Sequence, residues 1–240
     1  MASWIAHLRI AENLLGLFPD LVPAHFAVGS VAPDSGIPDE KWEKFTPPQE
    51  ITHFSSGNGA GRKLADMEFY RRYLLPLCGS KVADLVSFRL GYFFHLITDN
   101  LWNREIGIPT LRRFAAEFAA KKDFISEVKN DWYGLDFLYV RDHPDSLFWR
   151  VFLSAKPELG GLDFLLPEGV HRNIAYIQQY YQRTDVEIQA LYNRPYIYLS
   201  RAQADRFVAE STRLISRIYK HLWINGMAAD GIASALDLPI

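Results

Sequence analysis

Between Lys81 and Trp102 the chain places apolar side chains on almost every face of a helix: Val82, Leu85, Val86, Phe88, Leu90, Tyr92, Phe93, Phe94, Leu96 and Ile97. A helix that is apolar all round belongs in the middle of a bundle, with other helices covering it. His95 and Asp99 interrupt this run. Four residues apart, they project from the same side of the helix, within about 40° of each other. An unpaired carboxylate in such a place costs several kcal/mol, so Asp99 requires a cationic or hydrogen-bond-donating partner. Two readings meet that requirement: a buried His95–Asp99 pair, or a metal ion held by both side chains.

The rest of the chain is consistent with a helical bundle. Trp4, His7, Leu8, Ala11, Leu14 and Leu15 recur at spacings of three and four, and predict a first helix that ends before Pro19. Helical periodicity also marks 64–75, 110–120, 124–139, 147–152, 167–184 and 200–223. Ser200 with Gln203 resembles a capping box. Residues 20–61 contain Pro23, Pro33, Pro38, Pro47, Pro48 and two Gly/Ser clusters, and read as a long structureless connection of the kind that carries function. The tail after Gly226 reads as a frayed end. No alternating pattern persists long enough to build a sheet. The expected architecture is all-α, a single-domain helical bundle over 1–240, with the chemistry-bearing motifs in 1–140 and a helical C-terminal part in 141–240.

Charge and composition narrow the function classes. With 49% hydrophobic residues, 22% charged residues and a net charge of −2, the chain has no overall pull toward nucleic acid or anionic lipid. Nothing in the sequence calls for stable binding to a nucleic acid or a membrane. Cys78 is the single cysteine, so neither an intrachain disulfide nor a Cys-rich zinc site is available. No apolar run is long enough to span a bilayer and the N-terminus lacks the pattern of a secretory signal, which makes the cytoplasm the expected location.

Other polar residues stand where apolar ones are expected. His7 lies on the apolar face of the first helix, Asp34 follows Pro33 in a rigid turn, and His53 sits between apolar neighbours at the close of the long connection. Each alone has an ordinary structural reading, as a core histidine or a turn former. Together with His95 and Asp99 they form a set of three imidazoles and two carboxylates that could hold one or two borderline divalent cations without any thiolate.

Four motifs, Trp4-Ile5-Ala6-His7, Gly29 through Asp34, Thr52-His53-Phe54 and Leu90 through Asp99, follow one another in an order that resembles the zinc-dependent phospholipase C family over about the first 140 residues. That family is all-helical, its typical members hydrolyse phosphodiesters at a three-zinc cluster, and the single-strand-specific zinc nucleases are a related branch. The resemblance implies that Asp34, His53, His95 and Asp99 hold one metal and that His7 holds a second, with Asp99 bridging. At the third site the sequence departs from the family. The first histidine expected there falls near Glu105, and the expected His-x3-Glu of the next long helix is Trp132 through Asp136. Asp136 is the candidate replacement for the glutamate, Trp132 cannot bind metal, and Asp131 is the nearest additional carboxylate. The amino-terminal Trp through which the family also binds zinc corresponds to Trp4, behind Met1-Ala2-Ser3. The implied cofactor is therefore two Zn2+ ions, with iron or manganese as substitutes.

The function these residues imply is hydrolysis of a phosphoester or phosphodiester, or of a small phospholipid-like substrate, by a water that the metals acidify. Asp34 and Asp99 would be the catalytic carboxylates. The alternative is a non-catalytic, metal-stabilised helical protein. The loop Gly57-Asn58-Gly59-Ala60-Gly61-Arg62 follows no strand and lacks the Gly-Lys-Ser/Thr ending of a nucleotide-binding loop, so it reads as a cover near the metals, with Arg62 touching a substrate phosphate.

Overall fold

The computed structural model describes residues 1–41, 43–55, 63–81, 83–156, 159, 161–227 and 229–240. Its architecture is all-α. In chain order the helices are α1 (Trp4–Leu17), α2 (Pro23–Gly29), α3 (Gln49–Thr52), α4 (Asp66–Phe69), α5 (Asp84–Trp102), α6 (Ile108–Arg113) and α7 (Ala115–Ala120). They continue with α8 (Phe124–Asp142), α9 (Leu147–Arg150), α10 (Pro167–Tyr180), α11 (Val186–Tyr192) and α12 (Arg201–Tyr219). The extended structure among the described residues is slight. A ribbon pairs β1 (Ile37–Pro38) with β2 (Phe45–Thr46) in antiparallel fashion, and Ser55 bridges to Leu64. No described helix is long and apolar enough to cross a membrane.

As its all-round apolarity requires, α5 runs through the centre. From Val86 to Trp102 every residue except Arg89 is buried. Its start falls at Asp84, later than the sequence suggested. α2 is the closest companion of α5 and the main departure from the sequence reading, because it lies inside the stretch expected to be structureless. Pro23 begins this helix instead of breaking it. At the first helical position its missing N–H would have had no partner, and its fixed φ suits the helix.

Two glycines allow the α2–α5 contact. A Cβ on Gly29 would stand 2.1 Å from the Phe88 carbonyl oxygen, and one on Gly91 would stand 2.3 Å from the Phe26 carbonyl oxygen. The two backbones therefore pack directly on each other. This brings the Ser30 carbonyl, at the end of α2, against the side of α5 that carries His95.

Local chemistry explains most of the remaining boundaries. The Ser3 side chain caps α1, and Ser200 and Gln203 form the reciprocal capping box at the start of α12. The Asp185 carboxylate caps α11, a helix the sequence reading passed over. The helix expected over 110–120 is broken at Phe114 into α6 and α7. The C-terminal tail is anchored, not frayed. The Asp66 carboxylate accepts hydrogen bonds from Asn100 Nδ2 (2.7 Å), Ser234 Oγ (2.8 Å) and the Ala235 amide (2.7 Å), tying the tail to α5.

Candidate metal centre

The five residues singled out by sequence meet around the middle of α5. His95 and Asp99 come from α5 itself and His7 from α1. Asp34 closes a 3-10 turn, Ala32–Asp34, and His53 follows α3 as its C-terminal cap. Four of these side chains are essentially dry, and Asp34 is the only one with appreciable exposure.

The donor atoms face one another. His53 Nε2 lies 3.3 Å from His95 Nε2 and 3.3 Å from Asp34 Oδ1. Asp99 Oδ2 lies 3.4 Å from His95 Nε2 and 3.7 Å from His53 Nε2. Tetrahedral ligands bound at 2.0–2.1 Å stand about 3.4 Å apart, so these separations match the edges of such a site. On the other side of the same carboxylate, Asp99 Oδ1 is 3.4 Å from His7 Nε2. The His7 ring stacks on His95 with centroids 3.9 Å apart and planes within 5°. His7, His95 and Asp99 form one compact ligand group, and Asp34, His53 and His95 form another.

The surroundings aim these atoms inward. His95 Nδ1 lies 2.8 Å from the Ser30 carbonyl oxygen, which can only accept, so Nδ1 carries a proton and Nε2 is the nitrogen left to bind a cation when the ring is neutral. Thr52 Oγ1 lies 2.9 Å from His53 Nδ1 and fixes that ring. Each carboxylate has one oxygen held by the N-terminal segment. Trp4 Nε1 donates to Asp34 Oδ2 (2.9 Å), and the Ala2 amide donates to Asp99 Oδ1 (2.7 Å). The remaining oxygens, Asp34 Oδ1 and Asp99 Oδ2, and both ring nitrogens of His7 are buried without a hydrogen-bond partner. For His53, His95 and the two carboxylates, orienting partners behind the ligand and open atoms toward the cluster are the arrangement of a metal site, whereas His7 has no such partner among the described residues.

The electrostatics agree. Burial, reinforced by the field of His95, lowers the His7 pKa to about 4, so this ring is an uncharged base at neutral pH. Burial alone would raise Asp99, but the field of His95, the field of the Met1 ammonium and contacts with His7 and His95 hold it well below the usual carboxylate range. Burial likewise opposes ionisation of Asp34, and contact with His53 together with the field of His95 brings it below its usual value. Burial would lower His95, and the fields of Asp99 and Asp34 raise it instead. Two ionised carboxylates beside an uncharged His7 draw positive charge to the cluster, from a second proton on His95 or from a divalent cation that takes its place. The residues present fit a metal.

Other sequence candidates fall elsewhere. Asp136 accepts from Ser3 Oγ (2.7 Å) and Tyr181 OH (2.6 Å) and belongs to neither ligand group. Its acidic position was legible, but its hydroxyl partners come from distant parts of the chain. Asp131 is held by Arg194 (3.1 Å) and the Tyr198 amide (2.6 Å). Glu105 is exposed and pairs with Arg104. Trp132 packs edge-to-face on Trp102 with centroids 5.1 Å apart. Arg62 and the Gly57–Gly61 loop lie outside the described residues. Sequence reasoning missed the orienting groups: the Ala2 amide and Ser30 carbonyl are backbone atoms with no signature, while Trp4, three residues before His7, was the one readable signal. No protein-family model, curated protein or solved structure matches this chain.

Proposed function

We propose that the protein is a metal-dependent hydrolase of a phosphoester or phosphodiester, working at a site for two divalent cations, zinc in the first instance. The observation that carries this reading is the convergence of five inward-aimed donors at tetrahedral spacing with buried atoms left unpaired. Asp34, His53, His95 and Asp99 would hold one cation; His7 would hold the second, with Asp99 shared between the two. When bound, such cations polarise phosphoryl oxygens and lower the pKa of a water ligand toward ~7.

The chain's own residues do the rest. The Ser30 carbonyl keeps the His95 proton on Nδ1, away from the site. Trp4 holds Asp34 Oδ2, which leaves Oδ1 to bind the cation or, alternatively, to orient a proton of the attacking water. Asp34 is the most exposed of the five and borders one of the two cavities that reach the cluster, Asp99 bordering the other. Burial of the other four side chains keeps bulk solvent away from the charges. A cytoplasmic setting accompanies this reading, with iron or manganese competing with zinc for the same donors.

The test is turnover of bis(p-nitrophenyl) phosphate by the metal-replete protein, compared with Asp34→Asn and His95→Ala. Hydrolysis that both substitutions abolish supports the proposal. A protein that binds metal yet hydrolyses no phosphoester with zinc, manganese or iron is instead the metal-stabilised structural protein. The observation that favours this second reading is that Trp132 and Asp136, at positions where the resembled family has further ligands, are engaged in packing and hydroxyl contacts.

A further inference from the structure

Two cavities flank the metal-binding cluster and differ in chemistry. The first, about 420 Å³, reaches Asp99 and is walled by Leu64, Trp102, Leu111, Phe118 and Trp132. Asp99 is the only charged side chain among its lining, which Met1 also reaches. The second, about 360 Å³, reaches Asp34 and also receives Lys129 from α8 and Arg172 from α10. Met1, Gln49 and Trp132 line both cavities. A ligand whose phosphorus lies at the cluster would therefore extend one arm into each. Both volumes are in the range of small-molecule sites.

The unpaired groups in the two cavities differ as well. In the first, the indole N–H groups of Trp102 and Trp132 are buried, at 2% and 7% exposure, and have no acceptor among the described residues. They suit a neutral acceptor carried on an apolar arm. In the second, neither Lys129 nor Arg172 makes a salt bridge or hydrogen bond among the described residues, and Lys129 is only partly exposed. Two unpaired cations from different helices beside one carboxylate leave that cavity with a net positive charge.

Resting on the hydrolase reading for the position of the phosphorus, we infer that the substrate is an asymmetric phosphoester: the arm on the Asp34 side carries a second anionic group, read by Lys129 and Arg172, and the arm on the Asp99 side is apolar with a hydrogen-bond acceptor. The two cations determine specificity and take no part in bond making. Their polarity also favours one direction of binding, because the lining of the chamber beside Asp99 includes no Lys or Arg.

The experiment measures binding, not turnover. Propylphosphonate and 3-phosphonopropionate, which differ by a methyl group against a carboxylate, are titrated calorimetrically into the metal-replete protein at low ionic strength. The carboxylated probe should bind about fivefold more tightly, a preference that shrinks with added salt. Lys129→Gln/Arg172→Gln should bind the two probes equally, and Arg172→Gln alone, at an exposed position, should lose part of the preference. Equal binding by the unsubstituted protein, binding of neither probe, or a preference that survives the double substitution overturns the inference. A preference without turnover of any phosphodiester leaves the anion subsite standing and removes the hydrolase reading; turnover without the preference does the reverse.

Discussion

Replacing Asp136 by Asn tests the electrostatic reading of the cluster's neighbour, because Asp136 is dry, acidic and outside both ligand groups. Burial raises its pKa to about 7 from 3.8, although Tyr181 and Ser3 donate to it and favour the ionised form. The sign follows from the raised value. Between pH 4 and 7 the folded protein keeps a proton that the unfolded chain has released, so this group's stabilisation is complete below about pH 4 and is lost as pH rises to about 7. At about 1.4 kcal/mol per unit the full loss is about 4 kcal/mol, of which about 3 kcal/mol falls between pH 5 and 8. Asn has no proton to lose, and both hydroxyls can donate to or accept from its amide, so it stands in for the neutral acid at a cost of about 1 kcal/mol. Urea unfolding followed by far-ultraviolet circular dichroism, with chelator present, gives both stabilities at each pH. Asp136→Asn should gain about 3 kcal/mol on the unsubstituted protein between pH 5 and 8 and should retain full metal binding once chelator is removed. Parallel pH profiles would refute the buried-acid account, and lost metal stoichiometry would make Asp136 a ligand after all.

Three further predictions concern how the fold holds the site. Gly91→Ala places a Cβ against the Phe26 carbonyl oxygen and should cost about 3 kcal/mol in urea unfolding, whereas Gly16→Ala, with no atom within 4 Å of the new Cβ, should be neutral or stabilising. Trp4→Phe removes the N–H that holds Asp34 Oδ2 and should weaken metal binding about tenfold in competition with a chromophoric chelator, with stoichiometry retained. His95→Ala should weaken it more than 100-fold, beyond the range of an orienting partner, and in chelator should change only the midpoint of unfolding.

Much of the site was legible because burial makes polar residues conspicuous. An imidazole and a carboxylate four residues apart in an otherwise apolar helix point to a shared partner, and His7 on an apolar face points the same way. The α2 helix was hidden because Pro23 and the later prolines read as breaks, and only packing on α5 shows that the first of them is an initiator. The anchored C-terminus was hidden for a different reason: Asp66 receives Ser234 and Ala235 across most of the chain, and no local pattern announces such a contact. Asp136 shows the limit in the other direction. Its sequence position suggested a ligand, and the structure satisfies it with two hydroxyls instead.

The most direct measurement is the elemental content of the protein purified without added metal, alongside His95→Ala prepared identically. The account predicts at least one zinc, iron or manganese ion per chain in the unsubstituted protein and a small fraction of that in the variant. A metal-free protein that also takes up none of the three ions on titration would contradict it, and would leave His7, Asp34, His53, His95 and Asp99 as a buried polar network that serves the fold alone.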